Sequence, residues 1–143
     1  NSHFIPALIK KFVESKTKKN KFVEIWGSGS PKREVMHVDD LANAITFILE
    51  KKINNSKKLF KIIKESSLIN VGSGQESTIK DFARIINQIT DANKILKFNS
   101  KYPDGTKRKI LDLKLIKQLG WKSNISVKNG LEDTINWYVK NYK

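Results

Sequence analysis

Residues 22–41, FVEIWGSGSPKREVMHVDDL, carry side chains that suit an anionic or aromatic ligand. Arg33 has a planar, permanently charged guanidinium that can grip a phosphate through two parallel hydrogen bonds. Trp26 offers a flat apolar surface on which a sugar or a base can lie. A purely structural interpretation is equally open at this point, with Trp26 in the core and Arg33 paired with Glu34 or Asp39.

The chain carries a formal net charge of +14 at pH 7, which is typical of proteins that bind nucleic acids or other anions. The 28 basic residues are spread almost evenly, and no basic stripe stands out. Only three of them, Arg33, Arg84 and Arg108, are arginines with the fork that grips phosphate. A noncatalytic basic module that binds RNA or DNA therefore remains an alternative, but we expect no nucleic-acid partner.

Several other kinds of chemistry find no support in the sequence. The glycine pairs in WGSGS and NVGSG lack the third glycine of a dinucleotide-binding fingerprint, and turns with positive φ also account for them. With no cysteine and two histidines, we expect neither disulfides nor a metal site. No apolar run of about 18 residues and no charged leader occur, so we expect a soluble cytoplasmic protein without membrane contact.

The spacing of apolar residues predicts alternating helices and strands, and therefore a single α/β domain. The predicted elements begin with a helix over 4–16, strands over 22–26 and 34–38, a helix capped by Asp39 or Asp40, and an irregular segment over 51–65 that could contain a short helical turn. They continue with a strand over 68–71, a helix opened by a Thr78–Asp81 capping box, a strand over 94–98, a helix over 113–119 ended by Gly120, and a last helix capped by Ser126. The second helix is predicted to bury Leu41, Ile45, Ile48 and Leu49.

Five segments together resemble a known family: NSHFIPALIKKF, IWGSGSPKREVMHVDDLANA, INVGSG, KYPDGTKRKILD and LGWK. They are similar to the carboxyl-terminal part of the GDP-L-fucose synthases, which are extended short-chain dehydrogenases/reductases. REVMHVDD alone fits many enzymes that act on nucleotide-sugars, whereas its combination with NSHFIPAL and PDGTKRK is much narrower. The resemblance implies NADPH-dependent 3,5-epimerisation and 4-reduction of GDP-4-keto-6-deoxy-D-mannose to GDP-L-fucose.

The same resemblance implies that residues 1–143 form the nucleotide-sugar-binding carboxyl-terminal part of such an enzyme, without its Rossmann half. NADP(H) is then bound mainly by that half, and we expect the isolated chain to be inactive. The expected ligand is a GDP-sugar, and the full-length enzyme is expected to be a homodimer. The isolated chain could also associate non-natively, through apolar helix faces that would otherwise pack on the Rossmann half. An alternative is the substrate domain of another NAD(P)-dependent nucleotide-sugar epimerase or dehydratase.

The resemblance assigns roles to five residues. His3 is implied to be the acid/base that acts on carbons 3 and 5 of the keto sugar, beside the nicotinamide of the cofactor. An imidazole suits that task because its ordinary pKa of about 6.5 lets it give and take a proton near neutral pH. Trp26 and Arg33 are implied to touch the nucleotide-sugar, Lys11 its diphosphate, and Asp104 its hydroxyl or guanine N–H groups.

The residues themselves allow structural roles for two of these positions. His3 could cap the first helix, and Asp104 could be a turn residue before a glycine. Lys10 is expected to face solvent, whereas Arg108 is a further candidate for the phosphates. His37 is expected to be a hydrogen-bonded structural histidine.

Overall fold

The computed structural model describes residues 3–54, 56–66 and 68–142, and six helices and five strands occur among them. In chain order they are α1 (Phe4–Thr17), β1 (Phe22–Trp26), β2 (Lys32–Glu34), α2 (Val38–Ile53), α3 (Lys57–Glu65), β3 (Glu76–Thr78), α4 (Ile79–Ile89), β4 (Ile95–Asn99), β5 (Arg108–Lys109), α5 (Lys114–Leu119) and α6 (Val127–Asn141). The predicted α/β class is confirmed. Within the described part of the chain, no helix is long and apolar enough to cross a bilayer.

The chain divides into two compact units. Unit 1 contains the described residues of Asn1–Arg33, Ser77–Lys109 and Lys128–Lys143, and unit 2 contains those of Glu34–Glu76 and Ile110–Val127. The interpretation of residues 1–143 as one nucleotide-sugar-binding part stays a prediction.

Unit 1 is built on the parallel pair of β1 and β4, in which Phe22 lies beside Ile95 and Trp26 beside Asn99. Side chains alternate along β1 between exposed and buried positions, as a half-buried strand requires. Helix α1 packs on β1 and on α4. The completely buried rings of Phe12 and Phe82 belong to these two helices. The bounds of α1 and β1 confirm the predicted first helix and first strand.

Helix α4 begins with the predicted capping box. The Thr78 hydroxyl accepts a hydrogen bond from the Asp81 N–H at 3.0 Å, and the Asp81 carboxylate accepts one from the Thr78 N–H at 3.3 Å. A second sheet has the strand order β3-β2-β5, with Lys32 parallel to Arg108 and Arg33 parallel to Lys109.

Unit 2 has its own core. It is formed by Ala44, Leu59, Ile62, Leu113, Ile116, Leu119 and Trp121. The Trp121 indole N–H donates to Asn43 Oδ1 at 2.9 Å, which satisfies the polar group of a buried ring. Helix α5 ends at Gly120, whose φ of 99° confirms the predicted left-handed cap.

Two predicted strands are wrong. Strand β2 covers Lys32–Glu34, and residues 35–37 then lead into α2 at Val38. Residues 68–71 form no strand. Ile69 and Val71 pack against the unit 2 core, and the Asn70 amide donates to the Asp112 carbonyl at 3.2 Å. Apolar side chains at alternate positions therefore reflect packing here rather than a ladder of backbone hydrogen bonds.

The segment predicted to be irregular, 51–65, also differs. It contains the last turn of α2 and the whole of α3. The Ser56 hydroxyl caps α3 by accepting from the Leu59 N–H at 3.4 Å, and Leu59 and Ile62 point into the core. Lysine-rich neighbours obscure the pattern of this amphipathic helix, because only a few apolar residues are needed to bury one side of its nine residues.

The start of α2 corrects the predicted cap. His37 occupies the cap position, and its Nδ1 accepts a hydrogen bond from the Asp39 N–H at 3.4 Å. The expectation of a structural His37 is thus confirmed. Asp40 is buried and accepts from the backbone N–H groups of Asn124 and Ile125 at 3.1 and 3.0 Å.

With Asp40 buried, the side of α2 that faces the core differs from the predicted apolar face. Ala44, one turn after Asp40, is fully buried, whereas Leu41, Ile45 and Leu49 are 40%, 51% and 53% exposed. The predicted face was wrong for these three leucine and isoleucine side chains. Ala44, Phe47 and Ile48 contact the core of unit 2, so α2 buries a side adjacent to the predicted face, and of the four predicted residues only Ile48 packs there among the described residues.

Replacing Asp40 with alanine is expected to destabilise the chain by about 1.5–3 kcal/mol, because two buried backbone donors lose a charged acceptor. Urea unfolding followed by circular dichroism measures this change. The matched control is Asp39→Ala, one residue away, whose side chain is 77% exposed; its expected cost is below about 1 kcal/mol. Equal costs for the two variants would contradict the role of Asp40.

Candidate functional site

A cavity of about 550 Å³ opens in unit 1 between α1, the end of β1 and the start of α4. One face of α1 supplies most of its wall, at positions spaced by one helical turn. Its lining residues are Phe4, Ala7, Leu8, Lys11, Ile25, Trp26 and Ile79. The cavity is therefore mainly apolar, with one cation and one indole.

Lys11 is held at this cavity by α1 and β1 together. Its Nζ donates to the Glu24 carbonyl at 2.9 Å and lies 4.9 Å from the centroid of the Trp26 ring. Burial lowers the pKa of the Lys11 ammonium, an effect that the charge of Glu24 opposes. A partly desolvated ammonium beside an aromatic ring attracts an anion more strongly than one in water.

Lys11 and Trp26 also line a second, more open cavity of about 350 Å³. Its remaining lining residues are Glu14, Ser15, Lys18, Asn20, Phe22, Val23 and Glu24. The neighbouring Lys10 pairs instead with Glu14 at 3.7 Å and is exposed, as expected.

The turn after β1 is fixed by a carboxylate. Asp104 accepts hydrogen bonds from the Ser28 N–H at 2.8 Å and the Ser28 hydroxyl at 2.6 Å. Gly27 and Gly29 have φ of 80° and 76°, a conformation that favours glycine. A Cβ on Gly27 would overlap the Asp104 carboxylate, and one on Gly29 would overlap the Phe98 ring. Conformation and space therefore both require glycine in WGSGS.

Arg33 is attached to the loop that carries Asp104. Its Nη1 donates to the carbonyls of Lys32 and Thr106, both at 2.7 Å. Trp26 is 59% exposed, so the interpretation of Trp26 as a core residue is wrong. The carboxylate of Glu34, one of the two expected acidic partners of Arg33, accepts from the N–H groups of Gly74 and Leu111.

The five predicted residues are brought together only in part. Lys11 and Trp26 share both cavities, whereas Arg33, Asp104 and His3 are absent from the described residues that line either one. Asp104 and Arg33 are linked to the turn after Trp26 through the loop at 101–106. His3 is exposed and precedes α1, and no hydrogen bond of its side chain caps the helix.

Two residues near this turn were not predicted from the sequence. Ser28 provides both donors to Asp104, and Tyr102 stacks on Trp26 with ring centroids 4.3 Å apart and planes 13° apart. Ser28 stands between the two glycines of WGSGS, whose preference for turns is the stronger local signal. Tyr102 stands directly before PDGT, and an aromatic residue next to a candidate ligand loop was the available signal.

Comparison with known proteins finds relatives that match almost the whole chain. Residues 1–63 match the NAD dependent epimerase/dehydratase family. A probable GDP-L-fucose synthase 1 from Oryza sativa subsp. japonica is 40% identical over 99% of this chain, which covers 40% of that protein. The GDP-L-fucose synthase of Escherichia coli (strain K12) is 38% identical over 99% of this chain and is covered to 43%. The chain is a homologue of the GDP-L-fucose synthases.

This homologue spans about 40% of the length of the curated relatives that it matches. Among solved structures, the GDP-mannoheptose C4 reductase MlghC from Campylobacter jejuni, which has NADP bound, superposes with a TM-score of 0.78 at 32% identity. The match covers 96% of this chain and 45% of that one. The fold is thus that of part of a nucleotide-sugar epimerase or reductase.

Hydrogen bonds from Ser28, first from its hydroxyl and then from its N–H, lower the pKa of the Asp104 carboxyl below its ordinary value. We expect Ser28→Ala to raise the pKa of Asp104 towards the ordinary value of an aspartate, which a carbon-detected NMR titration measures. Glu14, whose pKa is lowered by Lys18, is an internal control and should not change.

The sign of the stability effect follows from linkage. Because the folded pKa of Asp104 lies below its unfolded value, its stabilisation is complete above pH about 3.9 and is lost as the pH falls through the folded pKa. The difference in unfolding free energy between wild type and Ser28→Ala should therefore shrink in acid. An unchanged pKa of Asp104 in the variant would refute the hydrogen bonds as its cause.

Proposed function

We propose that unit 1 carries the GDP-sugar site of an enzyme of the GDP-L-fucose synthase type, which converts GDP-4-keto-6-deoxy-D-mannose to GDP-L-fucose by NADPH-dependent 3,5-epimerisation and 4-reduction. The observation that carries the proposal is the pairing of Lys11 with Trp26 at an apolar cavity of about 550 Å³. The ammonium binds a diphosphate oxygen, and the indole supports a base or sugar ring.

Arg33 on β2 and Asp104 on the loop at 101–106 are proposed to complete the site. Arg33 uses one nitrogen, Nη1, for two backbone carbonyls, which fixes the direction of its guanidinium. The remaining N–H groups of such a fork suit phosphate oxygens. Asp104 keeps the turn after Trp26 in shape, and its charge favours the N–H and O–H donors of a guanosine nucleotide.

His3 is proposed as the acid/base for epimerisation. Carbons 3 and 5 flank the 4-keto group, so a base can remove a proton from one face of each carbon while an acid on the opposite face supplies another. His3 is proposed as one member of this pair, and the other member is proposed to belong to the part of the enzyme that this chain does not span. An exposed imidazole that does not cap its own helix is available for this exchange.

NADP(H) is proposed to bind to the part of such an enzyme that this chain does not span. The two glycine turns of this chain are poor sites for the pyrophosphate of a dinucleotide, because one N–H group in each turn already donates to a carboxylate of the chain. The Ser28 N–H donates to Asp104 and the Gly74 N–H to Glu34. Hydride transfer by the 143-residue chain alone is therefore not expected, and the homodimer is proposed for the complete enzyme.

A second candidate is reduction of a GDP-linked heptose. It is favoured by MlghC and by a GDP-6-OMe-4-keto-L-xylo-heptose reductase from C. jejuni, which superposes with a TM-score of 0.81 at 29% identity over 97% of this chain and 48% of that one. Both candidates share the guanosine diphosphate and differ in the sugar.

Isothermal titration of the chain with GDP-L-fucose tests the binding site. Lys11→Gln is expected to weaken binding about tenfold, or ~1.4 kcal/mol, because a charge-assisted contact with the diphosphate is lost. The matched control is Lys10→Gln on the same helix, whose side chain is 64% exposed and pairs with Glu14. It should bind within about twofold of wild type, since exposed ion pairs contribute little.

Related ligands separate the candidates. Binding of UDP-glucose as tight as that of GDP-L-fucose would exclude guanosine selectivity, and tighter binding of GDP-mannoheptose would favour the heptose reductase. A polynucleotide that binds with steep salt dependence, while neither GDP-sugar binds, would support the nucleic-acid alternative.

The role of His3 has its own measurement, because the chain contains only two histidines. GDP-L-fucose is expected to shift the imidazole NMR signals of His3, since its sugar is proposed to lie beside that ring. GDP, which has no sugar at that position, should shift them much less. His37, which is bonded to the Asp39 N–H, serves as the control. Equal shifts for the two histidines would contradict the proposal.

A further inference from the structure

Tyr102 lies against the indole of Trp26 in an arrangement that restricts both rings. Their centroids are 4.3 Å apart and their planes 13° apart, which is a stacked geometry. The two side chains remain 40% and 59% exposed, so this stack is a surface feature and not part of the core. A reason other than burial is therefore needed for an aromatic pair at this point.

We propose that Tyr102 is a positioning residue of the GDP-sugar site, which holds the plane of the Trp26 indole so that a ligand ring can pack on it. This inference rests on the proposed function, since it assigns a role within the same site. Tyr102 need not touch the ligand to act in this way.

The position of Trp26 explains why it needs a restraint. It is the last residue of β1 and lies on the exposed side of the strand, where the core does not limit its rotamers. The following residue, Gly27, has φ of 80° and adds no side-chain contact. An indole that changes rotamer must be ordered when a ligand binds, and that ordering reduces affinity.

The two cavities show that Trp26 stays accessible to a ligand while Tyr102 is stacked on it. Trp26 lines both the larger and the smaller cavity with Lys11, whereas Tyr102 is not among the described residues that line either one. Tyr102 therefore stacks on the indole without forming part of the described wall of either cavity. A ligand in either cavity can contact Trp26 while Tyr102 remains stacked.

The backbone around Tyr102 is itself anchored to the turn after Trp26. The Tyr102 N–H donates to the Asn99 carbonyl at 3.3 Å, and the same carbonyl accepts from the Gly27 N–H at 3.0 Å. Two residues later, Asp104 binds Ser28 through both of its oxygens. The loop that carries the tyrosine and the turn that follows the tryptophan are thus tied on both sides of the stack.

The test compares Tyr102→Leu, which removes the ring, with Tyr102→Phe, which keeps it. Titration with GDP is expected to give about fivefold weaker binding for Tyr102→Leu and a change below about twofold for Tyr102→Phe. The matched control is Tyr142→Leu, because Tyr142 also stacks on an aromatic residue, Tyr138, with centroids 5.3 Å apart. It should bind GDP as wild type does.

A second readout follows the indole directly. Nitrogen relaxation of the Trp26 side-chain N–H, assigned with Trp26→Phe, should report greater mobility in Tyr102→Leu than in Tyr102→Phe. Nuclear Overhauser contacts between the Trp26 and Tyr102 rings of the wild type should persist when GDP is bound. This last measurement needs no substitution and remains valid if Tyr102→Leu fails to fold.

The outcomes separate this inference from the proposed function. Unchanged or tighter GDP binding by Tyr102→Leu would overturn the positioning role and leave the GDP site standing. Loss of the contacts between the two rings on GDP binding would overturn it as well, because Tyr102 would then be a cover that the ligand displaces. Failure of the wild-type chain to bind GDP at all would overturn both.

Discussion

The bonds from Ser28 to the Asp104 carboxylate are the interaction on which the geometry of the candidate site depends. They join the turn after β1 to the loop after β4, which are 76 positions apart in the chain. Both oxygens accept, one from a backbone N–H and one from a hydroxyl, so the two segments are fixed in direction as well as in distance. Only glycine at position 27 leaves room for this carboxylate.

Carboxylates play a comparable structural part in unit 2. Glu34 accepts from the N–H groups of Gly74 and Leu111, and Asp40 accepts from those of Asn124 and Ile125. Each of these acids holds chain segments that lack the regular hydrogen bonds of a helix or strand. In a chain with 28 basic and 14 acidic residues, several of the few acids are therefore committed to backbone donors. The excess of basic over acidic residues gives the protein its net positive charge.

Charge alone does not select a ligand, and the distinction between Lys10 and Lys11 illustrates why. The two lysines are adjacent in sequence, but Lys10 pairs with an exposed glutamate, whereas Lys11 reaches across to a strand carbonyl and lies over an indole. Burial lowers the pKa of the Lys11 ammonium. The helix turns the two lysine side chains to different faces, because adjacent residues are about 100° apart around its axis. A GDP-sugar site can thus exist on a protein whose net charge does not by itself indicate which anion it binds.

Much of the local structure could be predicted from the sequence. The amphipathic α1, the strand ending at Trp26, the Thr78–Asp81 capping box and the stop at Gly120 depend on residues within a few positions of one another, and local patterns describe such interactions well. The α/β class and the kinship with nucleotide-sugar enzymes also followed from sequence patterns and motifs. The assigned roles of His3, Lys11, Trp26, Arg33 and Asp104 remain predictions.

Long-range contacts decided the rest. Nothing near Asp40 in the sequence indicates that it binds residues 124 and 125 instead of capping α2, so both the cap and the buried face of that helix were mispredicted. In the same way, WGSGS does not reveal that Asp104 occupies the space beside Gly27, or that Tyr102 stacks on Trp26. A sequence fixes which turns and helices are favourable locally, but a carboxylate or an aromatic ring finds its partner only when distant segments are packed together.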